Sequence, residues 1–194
     1  MSKSRLEAFT DAVIAIVMTI LVLELVAPAQ GSFAALFEMR FEFLVYLISF
    51  TTLAIYWQNH HHLLQISRHV SGAVLWANTA LLLFLSLIPF TTSWVNEHLL
   101  ERAPELMYGG VMLICDLIWL ALARALIAEN GTKSHIARAL DGSRKSYLSI
   151  GLVAAGMAAG LLWPPLTLIF CVLSLIPWII PDKRIEQMLH DKEG

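Results

Sequence analysis

Hydrophobic positions along the chain gather into six blocks, at about 10–27, 41–59, 70–95, 107–127, 146–163 and 165–181. A helix rises about 1.5 Å per residue and needs about 20 apolar residues to cross a hydrocarbon core of roughly 30 Å. The blocks therefore predict six transmembrane helices, several near the short limit. The fold class expected is all-α: a polytopic membrane protein forming one six-span domain over residues 1–194. Polar punctuation divides the blocks. The second follows Glu38, Arg40 and Glu42 and ends in Gln58-Asn59-His60-His61-His62. The fifth and sixth are parted only by Trp163-Pro164-Pro165, which predicts a tight hairpin, because proline cannot continue a helix.

The first block stands out. From Arg5 to Leu25 it reads RLEAFTDAVIAIVMTILVLEL, amphipathic at first and then almost wholly apolar, with Asp11 at the change. A carboxylate so close to hydrocarbon is costly and calls for a partner or a task. At 100° per residue, Ile16, Ile20 and Leu23 fall within about 60° of one another, with Thr19 beside them and Asp11 roughly 140° from Ile16. Two readings of this stripe stand on periodicity alone: a pore lining braced from behind by Asp11, or a face turned to lipid or core.

Composition places the chain in a membrane. Hydrophobic residues make up 58% and charged residues 14%, where soluble domains carry about 25% charged. Mean hydropathy is +0.69. A net charge of −2 with no basic run argues against a nucleic-acid partner. With a cytoplasmic N-terminus, the inner segments hold Lys3, Arg5, Arg68, Arg124, Lys133, Arg138, Arg144, Lys145, Lys183, Arg184 and Lys192, and the outer loops only Arg40 and Arg102. That asymmetry predicts both termini on the cytoplasmic side of the cell membrane and an even number of spans. Trp57, Trp76, Trp94, Trp163 and Trp178 fall near span ends, as an interfacial belt requires, while Trp119 is mid-span and should pack on a neighbouring helix. Ala27-Pro28-Ala29 resembles a cleavage site, but Glu7, Asp11 and Glu24 fit a retained first span better.

Candidate chemistry is sparse. Adjacent residues on a helix point 100° apart, so His60, His61 and His62 cannot converge on one metal ion. One of them is expected to turn inward to a buried polar group such as Asp11, Thr10 or Asn78, the others to interfacial water. Asp116 and Glu24 are the remaining acids within spans; a hydrogen bond to a neighbouring helix is the expected role of Asp116, and Glu24 is placed to edge an outer vestibule. Gly156-Met-Ala-Ala-Gly160, with Gly151 one turn earlier, is a spacing that lets helices approach closely. Cys115 and Cys171 read as small core residues. The chain offers no nucleophile motif, phosphate loop or paired-carboxylate site, which argues against an enzyme, and no cofactor is expected. Nor does it repeat itself between its halves, as a two-repeat transporter would.

Arg5-x-x-x-Phe9-Thr10-Asp11 resembles the Arg-x-x-x-Phe-Ser-Asp signature of the transmembrane protein 175 family, the lysosomal potassium channels of animals and their shorter prokaryotic relatives. The likeness runs on through Ile16, Thr19, Leu23 and Glu24, through Tyr46, Ser49, Phe50, Tyr56, Trp57 and a following histidine, and through Trp76, Asn78 and Leu87-Ile88-Pro89-Phe90-Thr91. It covers three spans in detail and the rest in hydropathy and length. Thr10 departs from the usual serine, keeping the hydroxyl and adding a methyl.

The resemblance implies a homotetramer of six-span subunits with four copies of the first helix around a central pore. Its constriction would be layered and apolar, at Ile16, Ile20 and Leu23, without a Thr-Val-Gly-Tyr-Gly filter. Thr19 would favour potassium through a ring of hydroxyls. Arg5, Phe9, Thr10 and Asp11 would hold the first helix against the second and third through His60 or His61, Trp57 and Asn78. The activity implied is passive, weakly selective conduction of monovalent cations, with K+ the preferred permeant ion and closure by dewetting. A secondary transporter or proton-coupled exchanger using Asp116, Glu24 or the histidines is the alternative, and a non-conducting scaffold a third.

Overall fold

The computed structural model describes residues 2–131, 134, 136–137 and 144–179. Lys133, Arg138, Lys183, Arg184 and Lys192 of the charge count, and residues 180–181 of the sixth block, lie outside the described residues. Eight helices have described bounds: α1 (Lys3–Leu23), α2 (Phe33–Glu38), α3 (Arg40–Ile66), α4 (Gly72–Leu85), α5 (Ile88–Glu97), α6 (Arg102–Asn130), α7 (Arg144–Gly160) and α8 (Leu166–Ile179). No strand occurs among the described residues. The segments Lys3–Leu23, Arg40–Ile66, Gly72–Glu97 and Arg102–Asn130 are each long and apolar enough to cross a bilayer. The helices α7 and α8 are shorter, with 17 and 14 described residues.

The ends of these helices follow local chemistry. Ser2 caps α1 by accepting the Arg5 backbone N–H, and Ser32 caps α2 by accepting that of Ala35. The third apolar block is not one continuous helix. Pro89 has no N–H to return to Leu85, so α4 ends there and α5 begins at Ile88 with the proline in its first turn. The Ser86 hydroxyl turns back to the Leu83 carbonyl at 2.7 Å, satisfying one acceptor freed at the break. The short helix α2 has no counterpart among the six blocks. Its Phe33 and Phe37 are exposed, and the Arg40 guanidinium sits 5.4 Å from the Phe37 ring.

Leu6, Ile14, Val17 and Leu21 of α1 join Leu53 and Leu64 of α3, Leu81 and Leu85 of α4 and Leu122 and Leu126 of α6 in the larger core. A second core joins Val45 and Ile55 of α3 to Tyr108 and Met112 of α6, Val153 of α7 and Cys171 of α8. The α7–α8 hairpin, turning through Trp163-Pro164-Pro165, packs on α6. Its closeness depends on missing side chains: a Cβ at Gly156 would collide with Phe170, and one at Gly160 with Thr167. Gly151 meets nothing within 4 Å and takes no part in that contact. Cys115 and Cys171 are free and buried. Trp119 packs edge-on between Tyr56, at 6.2 Å, and Trp178, at 5.9 Å.

Candidate functional site

Helix α1 has two distinct faces. Leu6, Thr10, Ile14, Val17 and Leu21 recur every three or four residues and are buried against the bundle. The opposite stripe is bare in this chain: Ile16 is 58%, Ile20 41% and Leu23 75% exposed. Thr19 lies on that bare side, and its hydroxyl donates to the Ile16 carbonyl at 2.7 Å. With its hydrogen spent on the helix, the oxygen has only lone pairs to offer outward.

Behind the stripe, a buried chain of hydrogen bonds ties α1 to its neighbours. Asn78 on α4 donates from Nδ2 to Thr10 Oγ1 at 2.9 Å. Its Oδ1 lies 2.7 Å from His60 Nε2 of α3. An amide oxygen only accepts, so the His60 proton resides on Nε2. Thr10 and Asn78 have no exposed surface and His60 has 1%, so this link is dry.

A more exposed link lies alongside. Trp57 Nε1 donates to Asp11 Oδ1 at 2.9 Å. The Trp57 ring stacks on His61, with centroids 6.0 Å apart and planes 18° from parallel. His61 Nδ1 meets Glu7 Oε1 at 3.0 Å, and its Nε2 lies 2.8 Å from Gln65 Nε2. A neutral His61 satisfies both, donating from Nδ1 and accepting at Nε2. The two histidines thus divide the work: His60 serves Thr10 through Asn78, and His61 serves Glu7. Arg5 and Phe9 are not brought in. Both are exposed, and the Arg5 side chain has no hydrogen bond or ion pair among the described residues.

Sequence reasoning missed Glu7 and Lys3 as contributors. Glu7 stands four residues before Asp11, hence on the same helix face, which is the signal that could have found it. Lys3 Nζ reaches the carbonyls of Ser67 and Gln65 at 3.1 and 3.4 Å, tying the start of α1 to the end of α3. Asn130, at the end of α6, holds the same loop. Its Oδ1 accepts the Arg68 and His69 N–H groups at 2.8 and 3.0 Å, and its Nδ2 donates to the His69 carbonyl at 3.0 Å. No sequence pattern marks that role.

Asp116, midway along α6, is also tied between helices. Asp116 accepts from Tyr56 Oη of α3 at 2.7 Å and from Ser149 Oγ of α7 at 2.6 Å. A third cluster joins Ser49 of α3 to Thr92 of α5 and Tyr108 of α6, at 2.7 and 3.1 Å. At the Leu23 end of α1, an open cavity of about 460 Å³ is lined by Leu23, Glu24, Glu42, Asn96 and Glu97 among others. Glu24 therefore edges a hollow of mixed lining, which shares Leu23 with the bare stripe.

Comparison with known proteins bears on the family and the fold of the chain. The family model described as endosomal/lysosomal potassium channel TMEM175 matches residues 5–89, the segment from Arg5 through Pro89. A potassium channel of Chryseobacterium sp. (strain P1-3) is 39% identical over 191 residues, covering 98% of this chain and all of the relative. The endosomal/lysosomal proton channel TMEM175 of Bos taurus is 33% identical over 90% of this chain, which spans only 39% of that protein. In three dimensions the chain is similar to the crystal structure of a lysosomal potassium-selective channel TMEM175 homolog from Chamaesiphon minutus. The TM-score is 0.76 at 24% identity, over 91% of this chain and 96% of that one, a likeness of fold. An all-helical membrane protein with the opening motif and the packing of these channels, this chain belongs to the TMEM175 family of ion channels.

Proposed function

We propose that this protein is a subunit of a homotetrameric, potassium-preferring cation channel of the cell membrane, with six spans per subunit and both termini cytoplasmic. Four copies of α1 line the pore, and Ile16, Ile20 and Leu23 form its constriction. The observation that carries this reading is the bare stripe of α1. Its apolar side chains point away from the subunit's own core, while the opposite face is buried and hydrogen-bonded to α3 and α4. A helix held so firmly from behind presents a fixed apolar surface to whatever lies in front.

Rings of isoleucine and leucine offer no ligands to a bare cation, so ions pass with part of their water and closure proceeds by dewetting. Thr19 supplies the polar exception. Its oxygen is turned outward with lone pairs free, which favours the ion that gives up water more readily, K+ over Na+. Preference is modest, because one hydroxyl ring does not replace a hydration shell. Glu24, Glu42 and Glu97 at the Leu23 end raise the local cation concentration where ions enter from outside. K+ is the permeant ion, and no cofactor or metal takes part.

An exchanger built on Asp116 or the histidines is less well supported. Asp116 is joined to Tyr56 and Ser149, and His60 to Asn78, all inside the subunit and away from the bare stripe. Bi-ionic recording from purified protein in a planar bilayer tests the proposal. A channel gives current down either gradient without a fixed counter-ion ratio, and Ile16→Asn raises that current. Obligatory coupling to protons, or an Ile16→Asn current equal to the parent, would overturn it.

A further inference from the structure

One face of α6 carries Ile114, Leu117, Ala121 and Arg124, all exposed and spaced by three or four residues. The first three suit contact with acyl chains. The last is a guanidinium, about 9 Å short of the helix end at Asn130. In a helix long and apolar enough to cross a bilayer, a charge on such a face is costly unless it is paired or reaches the headgroups.

The pairing of Arg124 is incomplete. Its Nη2 donates to Tyr147 Oη of α7 at 2.6 Å, and no carboxylate lies within ion-pair distance of it among the described residues. A guanidinium has five N–H donors, and this contact uses one. The phenol accepts that bond and keeps its own O–H to donate. Both side chains are exposed, so the remaining donors meet whatever covers this face. Arg144 stands one turn before Tyr147 on α7 and about 60° round, adding a second exposed cation at the same end. Glu129, the next acid along α6, is about 140° round from Arg124 and turned away.

The surface beside this polar pair is apolar. Further along, Met157 of α7 packs against Gly109 of α6, so the two helices run side by side in opposite directions. Leu117 lies within about 20° of Arg124 around α6, and Gly151 within about 40° of Tyr147 around α7. Both are exposed, and a Cβ at Gly151 would meet nothing within 4 Å. Convergent donors with net positive charge select an oxyanion, and phosphate is the one that a guanidinium fork fits. The apolar surface next to them selects a phosphate that carries hydrocarbon. We propose that Arg124 and Tyr147 form the headgroup site of an anionic phospholipid, whose phosphate accepts from both and whose acyl chain lies along Leu117 and Gly151. The proposal rests on α6 and α7 being membrane spans. In the orientation proposed above, the lipid belongs to the cytoplasmic leaflet. The site stands apart from α1 and the pore.

The test is native mass spectrometry of the delipidated protein titrated with dioleoyl-phosphatidylglycerol or dioleoyl-phosphatidylcholine, together with a structure in phosphatidylglycerol nanodiscs. Phosphatidylglycerol should bind the more tightly, with phosphate density within hydrogen-bond distance of Arg124 and Tyr147. Arg124→Gln is expected to weaken that binding about fivefold, the effect of one basic side chain at a charged membrane surface. Tyr147→Phe should weaken it less, and Arg68→Gln, exposed between α3 and α4, should leave it unchanged. Glycerol 3-phosphate, which has the phosphate without the chains, should not compete. Equal binding of the two lipids, no loss in Arg124→Gln, an equal loss in Arg68→Gln, or displacement by glycerol 3-phosphate would each overturn the site. So would density for a second copy of the chain over Leu117 and Tyr147. Potassium current from the same preparation is read alongside, so that failure of the channel reading and failure of the lipid site are separate results.

Discussion

Asn78 donates to Thr10 at 2.9 Å on the side of α1 away from Ile16, so the most deeply buried polar contact of this helix braces its most exposed apolar stripe. Asn78→Leu would leave the Thr10 hydroxyl and His60 Nε2 buried without partners. Each such orphan costs about 1–3 kcal/mol. The expected outcome is a clear fall in the thermal midpoint of the detergent-purified protein. Thr10→Ser keeps the donor and acceptor and should stay close to the parent, whereas Thr10→Val should approach Asn78→Leu. Equal midpoints for Thr10→Ser and Thr10→Val would show that the hydroxyl is not what holds α1.

Trp57 and Asp11 form the outer half of the brace, and here the acceptor oxygen matters more than the charge. Asp11→Asn retains an oxygen for the Trp57 N–H and should assemble normally. Asp11→Leu removes it and should lower the yield of assembled channel on size-exclusion chromatography. Neither substitution faces the stripe, so K+ to Na+ preference in the surviving channels should be unaltered. A changed reversal potential in Asp11→Asn would place this carboxylate in the conduction path.

Thr19→Val preserves shape and removes the one hydroxyl on the exposed stripe. Under bi-ionic K+ and Na+ conditions the reversal potential is expected to move toward zero, with conductance retained. An unchanged potential would exclude Thr19 as the source of preference.

The acidic hollow at the Leu23 end makes an ionic-strength prediction. Glu42→Gln combined with Glu97→Gln should reduce inward cation current at about 10 mM salt, where screening extends over about 30 Å, and have little effect near 1 M, where it falls to about 3 Å. A reduction that is the same at both salt concentrations would mean a change in structure rather than in local ion concentration.

Gly160 and Gly151 separate two meanings of one small-residue motif. Gly160→Leu forces a side chain into Thr167 and should destabilise the α7–α8 hairpin by about 1–3 kcal/mol, the usual cost of overpacking. Gly151→Ala meets open space and should leave the thermal midpoint unchanged or slightly raised. Their order in a thermal melt checks the distinction.

Much of this protein is written along the chain because helices and bilayers are read locally. Apolar block length placed the four segments long enough to cross a bilayer, 100° periodicity put Ile16, Thr19, Ile20 and Leu23 on one stripe away from Asp11, and the cost of a carboxylate near hydrocarbon demanded a partner for Asp11. The Arg5 to Pro89 motif carried the family. Which partner each polar group would find was beyond that reach. His60 and His61 are neighbours in sequence, and only the rotation of α3 against α1 and α4 sends one to Asn78 and the other to Glu7. Likewise Tyr56 and Ser149 converge on Asp116 from residues 60 and 33 positions away, and Asn130 closes on a loop 61 to 63 positions distant. Periodicity says which face a residue occupies, but it is the packing of one helix on another that says what the face meets. The tertiary structure therefore decided that the α1 stripe is left bare by its own chain, because the opposite face had already been taken by the core.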